Sequence, residues 1–361
     1  METRPADLPD ALVSQAITAG WALPSPTVAY LPVGFGSHHW TVVDGEGDRW
    51  FASVDVAPDG SGEHAGLEAA LTTAAVAQEA GLAFVVAPTR TTAGHVHQRL
   101  DRTYALALYP HIDGQGGSFH DQLDLTTARR VVAALAVLHT ATPDLLGRGA
   151  RPRVDDLQVP GRAGLLSALE DASAPDPGTW REPYGARLRA LLRAHAATLR
   201  TALHALDDAL DDALDEAGEQ HDRLVVTHGE PHPGNVIHTP DGPVLVDWDT
   251  TALAPPERDL WHVVTRLAHE EAREVSAHYA ERSGRTLQPA LLERYRLAWA
   301  LADVADFTAV LGLASAETAD TATAWEALVG TLEELAARHT SPNEGSFVGQ
   351  EVTTRTPPAG P

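Results

Sequence analysis

Acidic, amide and imidazole side chains are concentrated in one short segment of the chain. The run His228-Gly229-Glu230-Pro231-His232-Pro233-Gly234-Asn235 follows one apolar stretch, and a second apolar stretch ends in Asp247-Trp248-Asp249. Glu230 and Asn235 have the spacing at which a kinase catalytic loop places its proton-accepting acid and a metal-binding Asn. Asp247 follows its strand where such a site places the Asp that binds Mg²⁺. The pattern predicts a phosphoryl-transfer site, because Mg²⁺ prefers hard oxygen ligands and an acceptor hydroxyl needs an oriented carboxylate.

Two other interpretations of this segment are weaker. A turn with merely solvated polar groups is disfavoured, because three separate spacings agree. A zinc site formed by His228, His232 and His238 is disfavoured because the intervening prolines prevent the helix of a His-Glu-x-x-His motif, and the chain contains no cysteine. His228 is therefore predicted to belong to the catalytic loop, where it anchors the loop through hydrogen bonds.

The segment from Val226 to Leu260 resembles the catalytic segment of the aminoglycoside phosphotransferase and choline kinase family, and most of all its spectinomycin phosphotransferase-like members. The shared features are an HG-acid-x-HPGN loop, an apolar strand ending in DWD, and a downstream P-x-x-D-L. The resemblance implies that Glu230 is the catalytic base, that Asn235 and Asp247 bind the metal, and that Asp259 braces the loop.

The same resemblance implies a fold and an activity. The expected fold is α+β, a bilobal protein-kinase-like fold with a small β-rich N-lobe and a larger helical C-lobe. The expected activity is ATP- and Mg²⁺-dependent phosphoryl transfer to a hydroxyl of a small molecule, similar to an aminoglycoside or aminocyclitol antibiotic or a related metabolite. The lysine-free, alanine- and arginine-rich composition is typical of a high-GC genome, in which antibiotic resistance is a natural setting.

Composition narrows the range of partners. The formal net charge is -24, from 50 acidic and 26 basic residues, which disfavours nucleic acid. The acidity suits a cationic small molecule, and it is equally explained by solubility alone. No stretch approaches the length of a transmembrane helix, and the first ten residues lack the pattern of a signal peptide. Without cysteine there are no disulfides, so a cytoplasmic protein with no membrane partner is expected.

The nucleotide side of the predicted site carries weaker signals. Gly34, Gly36 and Ser37 belong to a turn between two predicted strands, where backbone N–H groups can approach phosphates. Alone this turn would indicate an ordinary hairpin, but ahead of the catalytic loop it favours a phosphate cover. Tyr109 and His111 fall where the family has its adenine-binding hinge.

Two departures from the family pattern bear on catalysis. The chain contains no lysine, and Ser53 most nearly occupies the place of the lysine that pairs with the nucleotide phosphates. Arg49 is the candidate substitute. Glu68 is the candidate for the helix acid that would pair with the lysine, and it is equally well interpreted as a solvated helix residue. Glu230 replaces the usual Asp, which adds one methylene to the base. A nucleotide-binding pseudokinase and a kinase-fold enzyme that transfers a nucleotidyl group therefore remain as alternatives.

The periodicity of the apolar residues predicts the organisation of the chain. The N-lobe is expected to span 1–109, the C-lobe 110–340, and a disordered tail 341–361. Strands are predicted near 30–33, 40–43, 50–56, 84–87, 104–109, 224–226 and 244–246. Helices are predicted over 66–80, 125–139, 187–214, 257–271, 290–313 and 321–337, and 147–184 is expected to be an irregular insert.

Overall fold

Alternating side chains in strand β3 (Arg49–Val56) determine how the N-terminal part is built. Ala52 and Val54 are fully buried in an apolar core that includes Trp40 and Leu106. Successive residues of a strand point to opposite faces, so Ser53 and its neighbours at odd positions lie on the other face of the sheet. That second face is the one that meets the rest of the molecule.

The N-terminal sheet is five-stranded and antiparallel, in the order β1-β2-β3-β5-β4. Its other strands are β1 (Thr27–Leu31), β2 (His38–Val43), β4 (Gln98–Arg99) and β5 (Tyr104–Pro110). One face is covered by helix α1 (Asp10–Trp21), and the other packs towards helix α2 (Gly62–Glu79).

Helices dominate the remainder of the chain. They are α3 (Leu125–Thr140), α4 (Thr142–Gly147), α5 (Arg162–Ser173), α6 (Gly185–Asp215), α7 (Glu257–Val264), α8 (His269–Ser283), α9 (Pro289–Leu313) and α10 (Ala319–Thr340). One apolar core joins α2 to α3, α7 and α8, and a second lies among α5, α6, α9 and α10. The expected α+β class, with sheet first and helices after, is confirmed.

Two small sheets lie between these helices and carry the polar segment. One has the order β10-β9-β6, and the other has the order β7-β11-β8. Their strands are β6 (Gln115–Gly116), β7 (Arg153–Val154), β8 (Val225–Thr227), β9 (Val236–Thr239), β10 (Gly242–Leu245) and β11 (Ala252–Ala254). A 3₁₀ turn, Pro233–Asn235, separates β8 from β9.

The structure, a computed structural model, describes residues 1–119, 121–156, 158–174, 180–215 and 223–340. The predicted tail, 341–361, lies outside the described residues. Within the described ranges, no helix is long and apolar enough to cross a membrane.

Several predicted elements are wrong. Residues 84–87 form no strand of the N-terminal sheet, since their apolar side chains are buried against β10 through a single bridge between Val85 and Leu245. The helix predicted over 257–271 is two helices, because the chain leaves helical hydrogen bonding after Thr265 and restarts at His269. Helix α5 interrupts the predicted irregular insert.

Candidate active site

A buried aspartate holds the polar loop after β8 in place. Asp259, on α7, is fully buried, and its two carboxylate oxygens accept hydrogen bonds from the backbone N–H groups of His228 at 2.9 Å and Gly229 at 2.7 Å. The imidazole Nε2 of His139 lies 3.0 Å from the same carboxylate. This is the bracing that the resemblance implies for Asp259.

Replacing Asp259 with alanine is expected to destabilise the protein by about 3–5 kcal/mol, because two buried N–H groups and a buried imidazole lose their partner. Urea unfolding with an unchanged m-value measures this loss. Glu274 provides the control, since it makes an exposed ion pair with Arg129 at 2.8 Å, and Glu274→Ala should cost less than about 1 kcal/mol. Equal losses in the two variants would contradict the bracing role.

His228 uses both ring nitrogens inside the loop. Its Nε2 lies 2.9 Å from the carbonyl oxygen of Val246, and its Nδ1 accepts a hydrogen bond from the backbone N–H of Glu230 at 3.1 Å. Burial lowers the pKa of His228 to about 4, so the ring is neutral, with its proton on Nε2. The ring also packs on Trp248, with centroids 4.4 Å apart. The side chain therefore connects the loop to the segment that carries Asp247.

Asn235 is positioned by its own amide. Its Nδ2 donates to the carbonyl oxygen of Glu230 at 3.0 Å and lies 3.3 Å from Nε2 of His232. The backbone carbonyl of Asn235 accepts from the N–H of Val246 at 3.1 Å. Because Nδ2 is committed to the loop, Oδ1 is the atom left to bind a ligand.

Glu230 lies on the inner side of the loop, with a quarter of its side chain exposed. Its carboxylate is 4.0 Å from Nε2 of His232. Burial raises the pKa of Glu230 to about 8, and the negative charges of Asp249 and Asp303 act in the same direction. Glu230 is therefore an acid in an environment that favours its protonated form until a positive charge approaches.

Carboxylates from two parts of the chain converge beside Glu230. Asp247 is open to solvent and adopts a left-handed backbone conformation with φ of 65°. The negative charge of Asp249 raises the pKa of Asp247 well above its usual range, and the charges of Glu230 and Asp55 act in the same direction. Burial raises the pKa of Asp249 as well. Mutual repulsion of this kind marks a place where a cation would be strongly favoured.

Asp55 belongs to this carboxylate group, and the sequence interpretation missed it. It lies on β3, two residues beyond Ser53 and on the same face of the sheet. Burial raises the pKa of Asp55 to about 7, and the negative charge of Asp249 acts in the same direction. The alternation of the strand, counted from Ser53, is the signal that could have identified it.

The glycine turn lies over this group. Gly34 and Gly36 have φ of 72° and 92°, values that favour glycine over residues with a side chain. Ser37 donates a hydrogen bond from Oγ to Asp55 at 2.5 Å, and the ring of Phe35 meets the ring of Phe307 on α9 at 5.3 Å. The turn thus connects the N-terminal sheet to helix α9. The space between the sheet and the helical part, where these carboxylates lie, is the cleft.

Aromatic side chains line the same face of the sheet. The rings of His39 and Phe51 are 5.0 Å apart, and Tyr109 lies 6.4 Å from Phe51. Ser53 is buried and pairs across the sheet with His39 and Ala107. His111 follows β5, and its N–H donates to the carbonyl oxygen of Arg49 at 3.2 Å.

The guanidinium of Arg49, the candidate substitute for the missing lysine, is half exposed and pairs with Asp113. Glu68, the candidate acid partner of that lysine, lies beside His64 and His97. Among the described residues, His228, His232 and His238 form no cluster that could hold a metal ion.

The negative charge of Asp303, on α9, acts on Glu230. Asp303 is half-buried, and burial together with the charge of Asp306 raises its pKa to about 7. The sequence interpretation did not single these residues out, because only tertiary packing brings α9 next to Glu230. Nearby, the ring of Phe119 stacks on Trp299 at 6.4 Å and meets His232 at 4.8 Å.

The sheet, the helical part and the braced loop between them define a kinase-like phosphotransferase fold. Residues 27–294 match the model of the Phosphotransferase enzyme family, and the chain belongs to this family. Protein StrN of Streptomyces griseus is 25% identical over 260 residues, which cover 71% of this chain and 74% of StrN. The resemblance that the catalytic segment indicates is confirmed.

Solved structures agree on the fold. A spectinomycin phosphotransferase in complex with ADP and spectinomycin superposes with a TM-score of 0.68 at 14% identity, covering 92% of this chain and 99% of that chain. A microcompartment-associated aminopropanol kinase gives a TM-score of 0.59 at 18% identity, with 94% and 99% coverage. The predicted bilobal kinase-like architecture is confirmed by these two similarities.

Proposed function

We propose that this chain transfers the γ-phosphoryl group of ATP, in the presence of Mg²⁺, to a hydroxyl of a small cationic molecule of the aminocyclitol or amino-alcohol type. The observation that carries this proposal is the convergence of Glu230, Asn235 and Asp247 around one braced loop. The spectinomycin phosphotransferase and aminopropanol kinase of similar fold support this acceptor class.

The donor set fits a magnesium ion. Asp247 and Asp249 offer carboxylate oxygens, and Asn235 offers Oδ1 because its Nδ2 is bound to Glu230. Mg²⁺ requires hard oxygen ligands, and the raised pKa values of both aspartates support binding of a cation between them. Bound Mg²⁺ with ATP would supply the phosphoryl donor and neutralise its charge.

The residues of the chain would accept the proton, hold the catalytic loop and bind the nucleotide. Glu230 accepts the proton of the acceptor hydroxyl, and Asp259 and His228 keep the loop rigid so that Glu230 stays oriented. The turn from Gly34 to Ser37 covers the phosphates. His39, Phe51, Tyr109 and His111 line the adenine side.

The missing lysine favours the pseudokinase alternative, and the retained set of Glu230, Asn235 and Asp247 disfavours it. A scaffold that had lost catalysis would not need four converging carboxylates whose mutual repulsion costs stability. Nucleotidyl transfer is distinguished by its products, since it releases pyrophosphate where phosphoryl transfer releases ADP.

The position of Asp303 supports a cationic acceptor, because a second carboxylate beside Glu230 would attract positive charge. Asp303→Asn should raise KM for cationic acceptors by about tenfold, the equivalent of about 1.4 kcal/mol, with a smaller change in turnover at saturation. Coupled ADP-release kinetics with paired amino and hydroxyl analogues of one acceptor measure this difference.

Glu293 is the matched control for this prediction, since it lies on the same helix and pairs with Arg296. Glu293→Gln should leave both KM values unchanged. If Asp303→Asn changes KM equally for charged and uncharged acceptors, the acceptor is not recognised by its charge.

A further inference from the structure

A cluster of potential metal ligands lies outside the cleft. His64 and Glu68 are four residues apart on α2, which places them on one face of the helix. His97 reaches the same place from the segment just before β4. One ligand atom from each of the three residues lies within 4.8 Å of the other two.

His97 is the buried member of this cluster. It is 9% exposed, and within the described parts of the chain neither Nδ1 nor Nε2 has a hydrogen-bond partner. A buried polar group without a partner is uncommon, because its desolvation is not repaid. Its ring meets the ring of His64 edge to face, with centroids 5.1 Å apart. Burial lowers the pKa of His97, which keeps the ring in the neutral form that binds metals.

We propose that His64, Glu68 and His97 bind a Zn²⁺ ion. Two imidazole nitrogens and one carboxylate are a typical zinc donor set that leaves a fourth position for water. Ligand atoms around a tetrahedral zinc ion are roughly 3.4 Å apart, so distances between the three ligand atoms must shorten by up to about 1.4 Å. Glu68 is exposed, and rotation of its side chain brings its carboxylate closer to the two imidazoles.

The arginine next to the cluster is compatible with a cation. Arg99 donates to the carbonyl oxygen of Ala57 and pairs with Asp59 at 2.9 Å, so its charge is balanced. Its contact with Nδ1 of His64 is long, 3.4 Å. Arg99 can only donate in this contact, so zinc binding through Nε2 of His64, which places the proton on Nδ1, would break it.

Bound zinc would tie α2 to the edge of the N-terminal sheet. The ion would close a loop between residues 64 and 97, so binding and folding are coupled. Zinc should therefore raise the melting temperature in a concentration-dependent way. This site is separate from the proposed magnesium site, so the two proposals can fail independently.

The test uses the full-length protein, stripped of metal with a chelator and titrated with ZnCl₂ by calorimetry in excess MgCl₂. We expect one equivalent of Zn²⁺ to bind with a micromolar or tighter Kd and to raise Tm. Substitution with Co²⁺ should give the visible absorption of a four-coordinate ion. Absence of stoichiometric binding would overturn the proposal.

Variants distinguish this cluster from the other histidines among the 18 in the chain. Glu68→Gln replaces an exposed side chain by one of the same shape, so the fold is retained, and it should weaken zinc binding at least about tenfold. His97→Ala should abolish stoichiometric binding. His95→Ala, at an exposed position two residues away, should bind as the parent does. Unchanged affinity in Glu68→Gln would place the zinc elsewhere.

Discussion

Asp247→Asn is expected to lower phosphoryl transfer at least about a thousandfold while leaving the fold intact, because it removes a metal-binding charge at the position where negative charge develops. Asparagine tolerates the left-handed backbone conformation at this position, so the substitution tests charge without adding strain. Removing one of several repelling carboxylates should also raise Tm slightly. ADP release and Mg²⁺-dependent nucleotide binding measure the loss.

The control for Asp247→Asn is Asp241→Asn, in the exposed turn between β9 and β10, which should retain the activity of the parent. The parent itself should bind nucleotide weakly without Mg²⁺, since no lysine contributes positive charge. If Asp247→Asn binds Mg-ATP as tightly as the parent does, the assignment of Asp247 to the metal is wrong.

Much of the loop could be predicted because it is contiguous. The residues that matter are close together in sequence, from His228 to Asn235 and from Asp247 to Asp249. Their spacing determines the local backbone conformation, and Asp259 holds that conformation by accepting hydrogen bonds. The position of the loop between a sheet and helices followed from the order of the predicted elements. Both inferences need little information about long-range packing.

The missed residues depend on tertiary contacts. Asp55 and Asp303 come from β3 and α9, which are far apart in sequence, and no local pattern connects either one to Glu230. The proximity of Glu68 to His97 likewise depends on how α2 packs against the segment before β4, which no local pattern encodes.

Helix α1 was missed for a different reason. Val13, Ile17 and Trp21 are buried and follow one another at intervals of four, which is a helical signal. Prolines and acids precede this short periodic stretch and obscure where it begins. The helix begins directly after Pro9, and its first turn contains Asp10, which suits the positive end of the helix dipole.

Substitutions of Glu230, which is one methylene longer than the usual Asp, are expected to have the second large effect on activity. Glu230→Ala should lower turnover roughly a hundredfold or more, the usual range for a general base. Glu230→Asp should also be impaired, because the carboxylate withdraws by about one bond length and a misplacement of about 1 Å can cost a hundredfold. Single-turnover kinetics at saturating Mg-ATP measure both variants.

In a kinase that has lost its activity, returning the residues of the family pattern should raise turnover. Glu230→Asp combined with Ser53→Lys restores both groups of the family pattern and should then raise ATP turnover above that of the parent. In the structure, however, Ser53 shares its face of β3 with Asp55, which already receives a hydrogen bond from Ser37. A lysine at position 53 would meet that carboxylate, neutralise it and disturb the contact that holds the glycine turn over the cleft. We therefore expect the double variant to be slower than the parent, and a clearly faster double variant would show that Glu230 is a relic and that the site is not tuned to its longer acid.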